Sequence, residues 1–369
     1  MNQPYSKRPR LPRQNKLMGI SWAPLLVGPA LLAFSTPADE ITFHPADGAM
    51  VTMTFEESSS MSLDDMSIAR NGEEMDPAML GDMEISMNTV RSITVTDEFV
   101  SMDGARPTTL KRSFDSLGST TSTSTSNAMT GESEVDAESK SSLEGTTVVF
   151  NWNAESGEYD AAFDGEEGDP DLLEDLSVNL TLNGFLPDGQ VDKGDTWDVS
   201  PVALRTLLAP GGSLKLEPVD SDSSGMEGAG PQPSPDQFLE DIEGTVTATY
   251  AGTRDVDGIQ VAVIALEFGV TAAADLSELM ADAIEGADMP MEGVTVEIES
   301  FDIEFEYEGE GELFWNLQAG LAHSCQLSGE VELLIEQAMA LEIPGMGAMS
   351  MEQAMTFAGT QDVSMSSGE

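Results

Sequence analysis

Two faces of different chemistry alternate along residues 301–336. Phe301, Ile303, Phe305, Tyr307, Leu313, Trp315 and Leu317 share odd positions, while Asp302, Glu304, Glu306, Glu308, Glu310 and Glu312 fill the even ones. A period of two marks a strand with one buried face and fits no helix. Upstream the apolar parity differs, with Val294, Val296 and Ile298 at even positions; one inserted residue at Glu299–Ser300, a β-bulge, restores a common face. The next segment repeats the pattern, with Leu321, His323, Cys325, Leu327, Val331, Leu333 and Ile335 on one side and Glu330, Glu332 and Glu336 on the other.

If both apolar sets meet one core, a three-residue loop, Gln318–Gly320, sets the register. It places Leu317 opposite Leu321, Trp315 opposite His323, Leu313 opposite Cys325, Gly309 opposite Gly329, and Phe305 opposite Leu333. On the outer face it opposes Glu308 to Glu330, Glu306 to Glu332 and Asp302 to Glu336. Like charges directly opposed cost about 0.2–1 kcal/mol per pair. Concentrated salt offsets that cost by screening, and Ca²⁺ does so by taking several carboxylate oxygens. Asp302, Glu304, Glu306, Glu308, Glu330, Glu332 and Glu336 therefore form the candidate cation-binding face. No Asp-x-Asp-x-Asp-Gly loop accompanies them, and Asp255–Gly258 is too short for one and reads as a turn.

The remaining chain reads as strands with a few short helices. Val51, Met53 and Phe55 alternate with Thr52, Thr54 and Glu56; Met83, Ile85 and Met87 are followed by Ile93 and Val95 after an expected bulge at Asn88–Val90. Asp103–Gly104 marks a turn into Leu110, Arg112 and Phe114. Val148, Phe150 and Trp152 pair with Tyr159, Ala161 and Phe163 across a loop at 153–158. Both faces of Val261–Val270 are apolar, as in a strand covered on both sides. Short helices are expected from Pro170, capped by Asp169, over Pro201–Leu208, and over Leu276–Ile284. Residues 118–142, Ser/Thr-rich and then acidic, read as a mobile loop, and residues 220–236 as a linker or long loop. The expected fold is mostly β, of long, curved antiparallel strands. It forms either an open half-barrel, in one continuous sheet, or two related halves at 40–219 and 237–369.

The 369 residues hold 67 acids against 15 Lys and Arg. Such a chain repels phosphate backbones, so nucleic acid is excluded as a partner. The single Cys and two His exclude zinc ribbons, iron–sulfur sites and intramolecular disulfides. Residues 1–38 read as a signal peptide: Lys7, Arg8, Arg10, Arg13 and Lys16 precede the uncharged, mostly apolar run 17–34, and small residues follow at Ser35, Thr36 and Ala38. Pro24 and Pro29 interrupt the run and argue for cleavage; uncleaved, this segment is the protein's one expected membrane contact. Cleavage leaves 10 basic residues against 67 acids, a net of −57. Adaptation to saline surroundings explains most of that charge, because salt shortens the range of self-repulsion.

Catalytic templates are missing. His323 and Cys325 share a strand face, but among leucines they read as packed core rather than a nucleophilic dyad. Gly-x-Ser-x-Gly, His-Glu-x-x-His and phosphate-loop patterns do not occur. Met61, Met66, Met83, Met87, Met346, Met349, Met351 and Met355 offer thioethers of the kind that bind Cu(I), yet their strand parity reads as core filling. Within Pro187–Trp197, Pro187, Val191, Gly194, Asp195 and Trp197 match a Pro…Val-x-x-Gly-Asp-x-Trp pattern. The stretch resembles a signature of exported acidic bacterial proteins. The resemblance implies an exported β-rich protein and carries over no catalytic residue. In physical terms Gly194 permits a turn, Asp195 accepts backbone hydrogen bonds and Trp197 anchors a strand.

These features lead to an exported, non-enzymatic β protein in the periplasm, at the cell surface or outside the cell. One role is a cradle for a lipid or other apolar ligand against Phe301, Phe305, Tyr307, Trp315 and the methionines. Another is an acidic surface or matrix component that meets cations or a basic partner. The alternatives are a secreted hydrolase using paired carboxylates and a calcium-dependent structural or adhesive protein.

Overall fold

The computed structural model describes residues 39–75, 83–127, 131–165, 168–219, 235–285, 295–343 and 347–368. In chain order the strands are β1 (Asp39–Glu40), β2 (Ala49–Arg70), β3 (Glu73–Glu74), β4 (Met83–Asp103), β5 (Arg106–Asn127), β6 (Gly131–Ser141), β7 (Thr147–Asn153) and β8 (Glu158–Phe163). They continue as β9 (Gln190–Val191), β10 (Thr196–Val199), β11 (Leu216–Pro218), β12 (Glu243–Val256), β13 (Ile259–Asp275), β14 (Thr295–Asn316), β15 (Leu321–Ile343) and β16 (Gly347–Gly368). All pairings are antiparallel, and one 14-stranded sheet runs β10-β12-β13-β14-β15-β16-β2-β4-β5-β6-β11, with β3, β7 and β8 branching off that path. The path does not return on itself, so the sheet is open. Residues on both sides of 220–236 enter it, because β16 pairs with β2 from Gly368↔Thr52 to Met351↔Arg70.

The expected register of the acidic hairpin holds over most of its length. Gly309 faces Gly329, Leu313 faces Cys325 and Phe305 faces Leu333, and the register shifts at Glu299. The paired glycines make room for rings: a Cβ on Gly329 would lie 2.9 Å from the Tyr307 ring, and one on Gly309 2.9 Å from the Phe268 ring. Near the turn the register differs from expectation. A second bulge makes Trp315 pair with Ala322 and Asn316 with Leu321, so Leu317 joins the turn and His323 is the extra residue. Ala322, 5% exposed, takes the inward place expected of His323. The cause lies in the turn, where Asn316 Oδ1 accepts from the amides of Gln318 and Ala319, drawing a longer loop than the parity argument assumed.

Two further expectations are corrected. Residues 118–142 are not a loop: most of them form the β5–β6 hairpin, paired from Gly118↔Lys140 to Asn127↔Gly131. This stretch lacks an apolar period because neither face reaches the packed core, while Thr keeps a high strand preference. β4 also needs no bulge at Asn88–Val90, since β2–β4 pairing is unbroken from Ala49↔Phe99 to Ser62↔Ser86. Thr89, Arg91 and Asp97 occupy inward positions of β4 and disguise one continuous parity. The expected linker at 220–236 lies almost wholly outside the described residues.

Helices are few and short. The expected helix at Pro170 is one 3-10 turn, Pro170–Leu173, with the Asp169 carboxylate accepting from the Asp171 amide. Pro201–Leu204 continues into the helix Arg205–Leu208, and Ser277–Glu285 follows β13. The core lies against one half of the sheet's inner face. There the segment after β8 contributes Leu180, Leu182, Phe185, Leu204, Leu207 and Leu208, all at most 2% exposed, against Phe55, Ile93, Phe114, Phe150 and Trp315.

Candidate functional site

A buried ion pair fastens this filling segment to the sheet. Arg112 donates from Nε and Nη2 to the two oxygens of Asp97, at 2.7 and 2.8 Å, and from Nη1 and Nη2 to the carbonyls of Ser177 and Val178 at 2.7 and 2.9 Å. Both side chains are essentially unexposed. The filled region ends at a polar rung. Glu57 and Arg91 face each other across β2 and β4. Arg91 Nη2 lies 2.5 Å from Glu57 Oε2 and also donates to the Leu208 carbonyl. Gln361 Nε2 donates to Glu57 at 2.8 Å, and the Tyr307 hydroxyl donates to the Gln361 carbonyl at 3.1 Å. Burial, reinforced by Asp362, Glu57 and Cys325, raises the Tyr307 pKa and keeps the hydroxyl protonated.

Beyond the rung the strands run on with the same inward parity, but with a thinner cover. The helix Ser277–Glu285 packs on β14, where Leu276 and Met280 join Phe301 and Ile303, and Phe238 of the short helix Pro235–Phe238 lies 5.7 Å from the Phe305 ring. Across β15, β16, β2 and β4 most inward residues are half-buried, although Phe357 and Ser59 are buried. They line up in rows: Ile335 with Met355 and Met66, Met339 with Met351, and Met61 with Met87. Gln337 donates to Gln353 at 2.8 Å in the middle of this face, and Gln353 Nε2 lies 3.9 Å from the Met66 sulfur. Of the methionines read from sequence as core filling, Met61 packs against the edge of the main core, while Met66, Met83, Met87, Met349, Met351 and Met355 are outside it; Met346 lies outside the described residues. The aromatic cradle is corrected in the opposite sense. Phe301, Phe305, Tyr307 and Trp315 are at most 8% exposed and fill the protein's own interior.

The outer face carries the expected carboxylates. Asp302 faces Glu336, Glu306 faces Glu332 and Glu308 faces Glu330, and β13 adds Glu267 opposite Glu310 and Asp275 opposite Asp302. Glu304 shares this face but pairs across strands with Leu334 and Ala273. The Asp302 pKa is raised, first by desolvation, then by the charges of Asp275 and Glu304. The Asp275 pKa is lowered, because its carboxylate accepts from the Ser277 hydroxyl and amide. Among the described residues, no three or more His, Cys, Asp or Glu side chains group closely enough to hold a metal ion. The sheet register therefore spreads these charges as a row rather than gathering them into a cage.

Cys325 is unexposed and burial pushes its thiol up to about 12, while His323 stands in the bulge; the two do not share a strand face. The Gly-Asp-x-Trp stretch behaves as its residues suggest. Gly194 has φ +98°, Asp195 Oδ2 accepts from the Asp192 amide at 2.8 Å, and Trp197 Nε1 donates to the Phe185 carbonyl at 3.1 Å. An open cavity beside it is lined by Leu186, Pro187, Asp188, Asp195, Trp197 and Asp198. No helix among the described residues is long and apolar enough to cross a membrane.

No protein-family model matches this chain, and no curated protein matches it either.

Proposed function

We propose that the chain is an exported, non-enzymatic binding protein whose working surface is the inner sheet face beyond the Glu57–Arg91 rung. The observation that carries this reading is the segregation of charge. In a protein with 67 acids, every described inward position paired in register beyond the rung on β2, β4, β5, β6, β14, β15 and β16 lacks a carboxylate, the bulge residues Asp64 and Glu299 standing outside that register, whereas the outer face of β14 and β15 carries acids in rows. A chain adapted to salt places acids wherever water meets it. A half-buried methionine face without one acid is a surface that something apolar covers in the working state.

Binding of the apolar dye ANS tests the reading. The protein freed of bound material by mild detergent exchange should bind the dye, and Met66→Glu with Met355→Glu should abolish most of that binding while leaving the circular dichroism unchanged. Equal dye binding by parent and variant would sink the proposal. The opposed carboxylate rungs favour a second reading for the outer face, an acidic surface component meeting cations, including Ca²⁺, as a diffuse layer rather than in a coordination cage.

A further inference from the structure

We infer that the apolar matter covering this face is the same face of a second copy of the chain. The inference rests on the reading above, that the face is covered, and adds what covers it. Four neighbouring strands, β15, β16, β2 and β4, extend about 10 residues past the rung. At about 4.8 Å between strands and about 3.3 Å per residue, the face measures about 19 by 33 Å. That is about 630 Å² per partner, within the range of a standard stable interface. A single extended chain, such as an acyl tail, would cover a strip of this area and leave the remaining rows in water. A second sheet covers all of it, since stacked sheets pack about 10 Å apart through interdigitating side chains.

The composition of the face fits a self-complementary contact, in which one patch meets itself across a two-fold axis. Methionine adapts its shape to a facing copy. Gln337 donates to Gln353 Oε1 at 2.8 Å and Gln353 Nε2 lies 3.9 Å from the Met66 sulfur, so part of their hydrogen bonding is met within the face and the remaining amide groups are free to bond the facing copy. The carboxylates of β15, Glu330, Glu332 and Glu336, point to the other side of the sheet and away from the contact. Charge still acts at long range. Two chains of net −52, or −57 once residues 1–38 are removed, repel at low ionic strength, and shortening the Debye length from about 10 Å to about 3 Å removes most of that repulsion. Association through this face is therefore favoured by salt.

Sedimentation velocity on the mature chain at 0.1 and 1 M NaCl, with native mass spectrometry on the same sample, tests the inference. A dimer whose dissociation constant falls about tenfold or more with the added salt is the expected result. Met66→Glu with Met355→Glu should be monomeric at both salt concentrations. If that variant loses its circular dichroism, Gln337→Glu with Gln353→Glu replaces it, at positions already polar. A monomer that carries a lipid mass overturns the dimer but keeps the face as a binding surface. A monomer that carries no other mass overturns both. A dimer that persists in the folded Glu variants places the contact elsewhere and overturns the inference.

Discussion

Arg112→Met should be among the most damaging single substitutions in this protein. The Arg112 guanidinium neutralises Asp97 through two hydrogen bonds of 2.7 and 2.8 Å and holds two backbone carbonyls of the segment that fills the sheet. Methionine fills similar volume, so the loss comes from electrostatics rather than from a cavity. Stranding the Asp97 charge in a site that is 0% exposed costs about 3–5 kcal/mol. The carbonyls of Ser177 and Val178 lose a charged donor and add to that cost, about 1–3 kcal/mol for each one left without a partner. At about 2 °C of melting temperature per kcal/mol for a large domain, the shift is about 6–10 °C from the ion pair alone. The assay is thermal melting followed by circular dichroism, repeated for Asp97→Leu and for the double variant. The double variant should recover the part due to the stranded charge and keep the part due to the carbonyls, so the two single effects should not add. A loss below about 1 kcal/mol in Arg112→Met, or strict additivity, would refute the view that this pair locks the filling segment to the sheet.

Three further outcomes follow from the outer face and the core. Glu306→Gln with Glu308→Gln removes two opposed pairs and should raise the melting temperature by about 1–4 °C in low salt, a gain that shrinks in 1 M NaCl; matched melting curves in NaCl and CaCl₂ of equal ionic strength should coincide if the cation layer is diffuse, and a Ca²⁺ effect at far lower concentration would establish discrete sites instead. The raised pKa of Asp302 means the folded state binds its proton more tightly than the unfolded state, so its contribution favours the fold below the unfolded value of about 3.9 and turns against it as pH rises through the folded value. Asp302→Asn should accordingly stabilise at pH 7 and change little at pH 3, and a stabilisation larger at pH 3 would contradict that cause. Cys325, unexposed and with its thiol pushed up to about 12, should resist a thiol reagent at pH 8 until the protein unfolds, and labelling of the native chain within minutes would show that the β15 core opens locally.

The acidic hairpin was legible because both of its faces are chemically pure. Leucines and aromatics on one parity and carboxylates on the other leave a single register that buries the first set, and the pairs Asp302↔Glu336 and Glu308↔Glu330 follow from it. Legibility failed where an inward position carries a polar residue. Arg91, Asp97 and Arg112 sit on the inner face because partners outside their own strands satisfy them: Glu57 and the Leu208 carbonyl, each other, and the carbonyls of residues 177–178. No alternation rule anticipates a partner contributed by a distant loop. The Ser/Thr run of β5 failed for a related reason, since its inward residues bond to neighbours such as Thr89 with Thr121, 3.2 Å apart, instead of packing a core. The methionine face was misread because alternation shows which residues share a side but not where along a strand the cover stops. That limit is set by residues 168–215, whose conformation rests on 3-10 turns and on the buried Arg112 contacts.

The methionines themselves report most directly on whether the carboxylate-free face is covered. Mild peroxide converts accessible thioethers to sulfoxides, read residue by residue by peptide mass spectrometry. Met50, 63% exposed, gives the fast reference, and Met53 and Met365, 3% and 1% exposed, give the slow one. At high protein concentration in 1 M NaCl, Met61, Met66, Met87, Met351 and Met355 should oxidise at rates near those of Met53 and Met365. On dilution into low salt they should move toward the rate of Met50. Oxidation of these five as fast as Met50 under both conditions would contradict the claim that the face is covered, and slow oxidation under both would mean that this chain covers it without a partner.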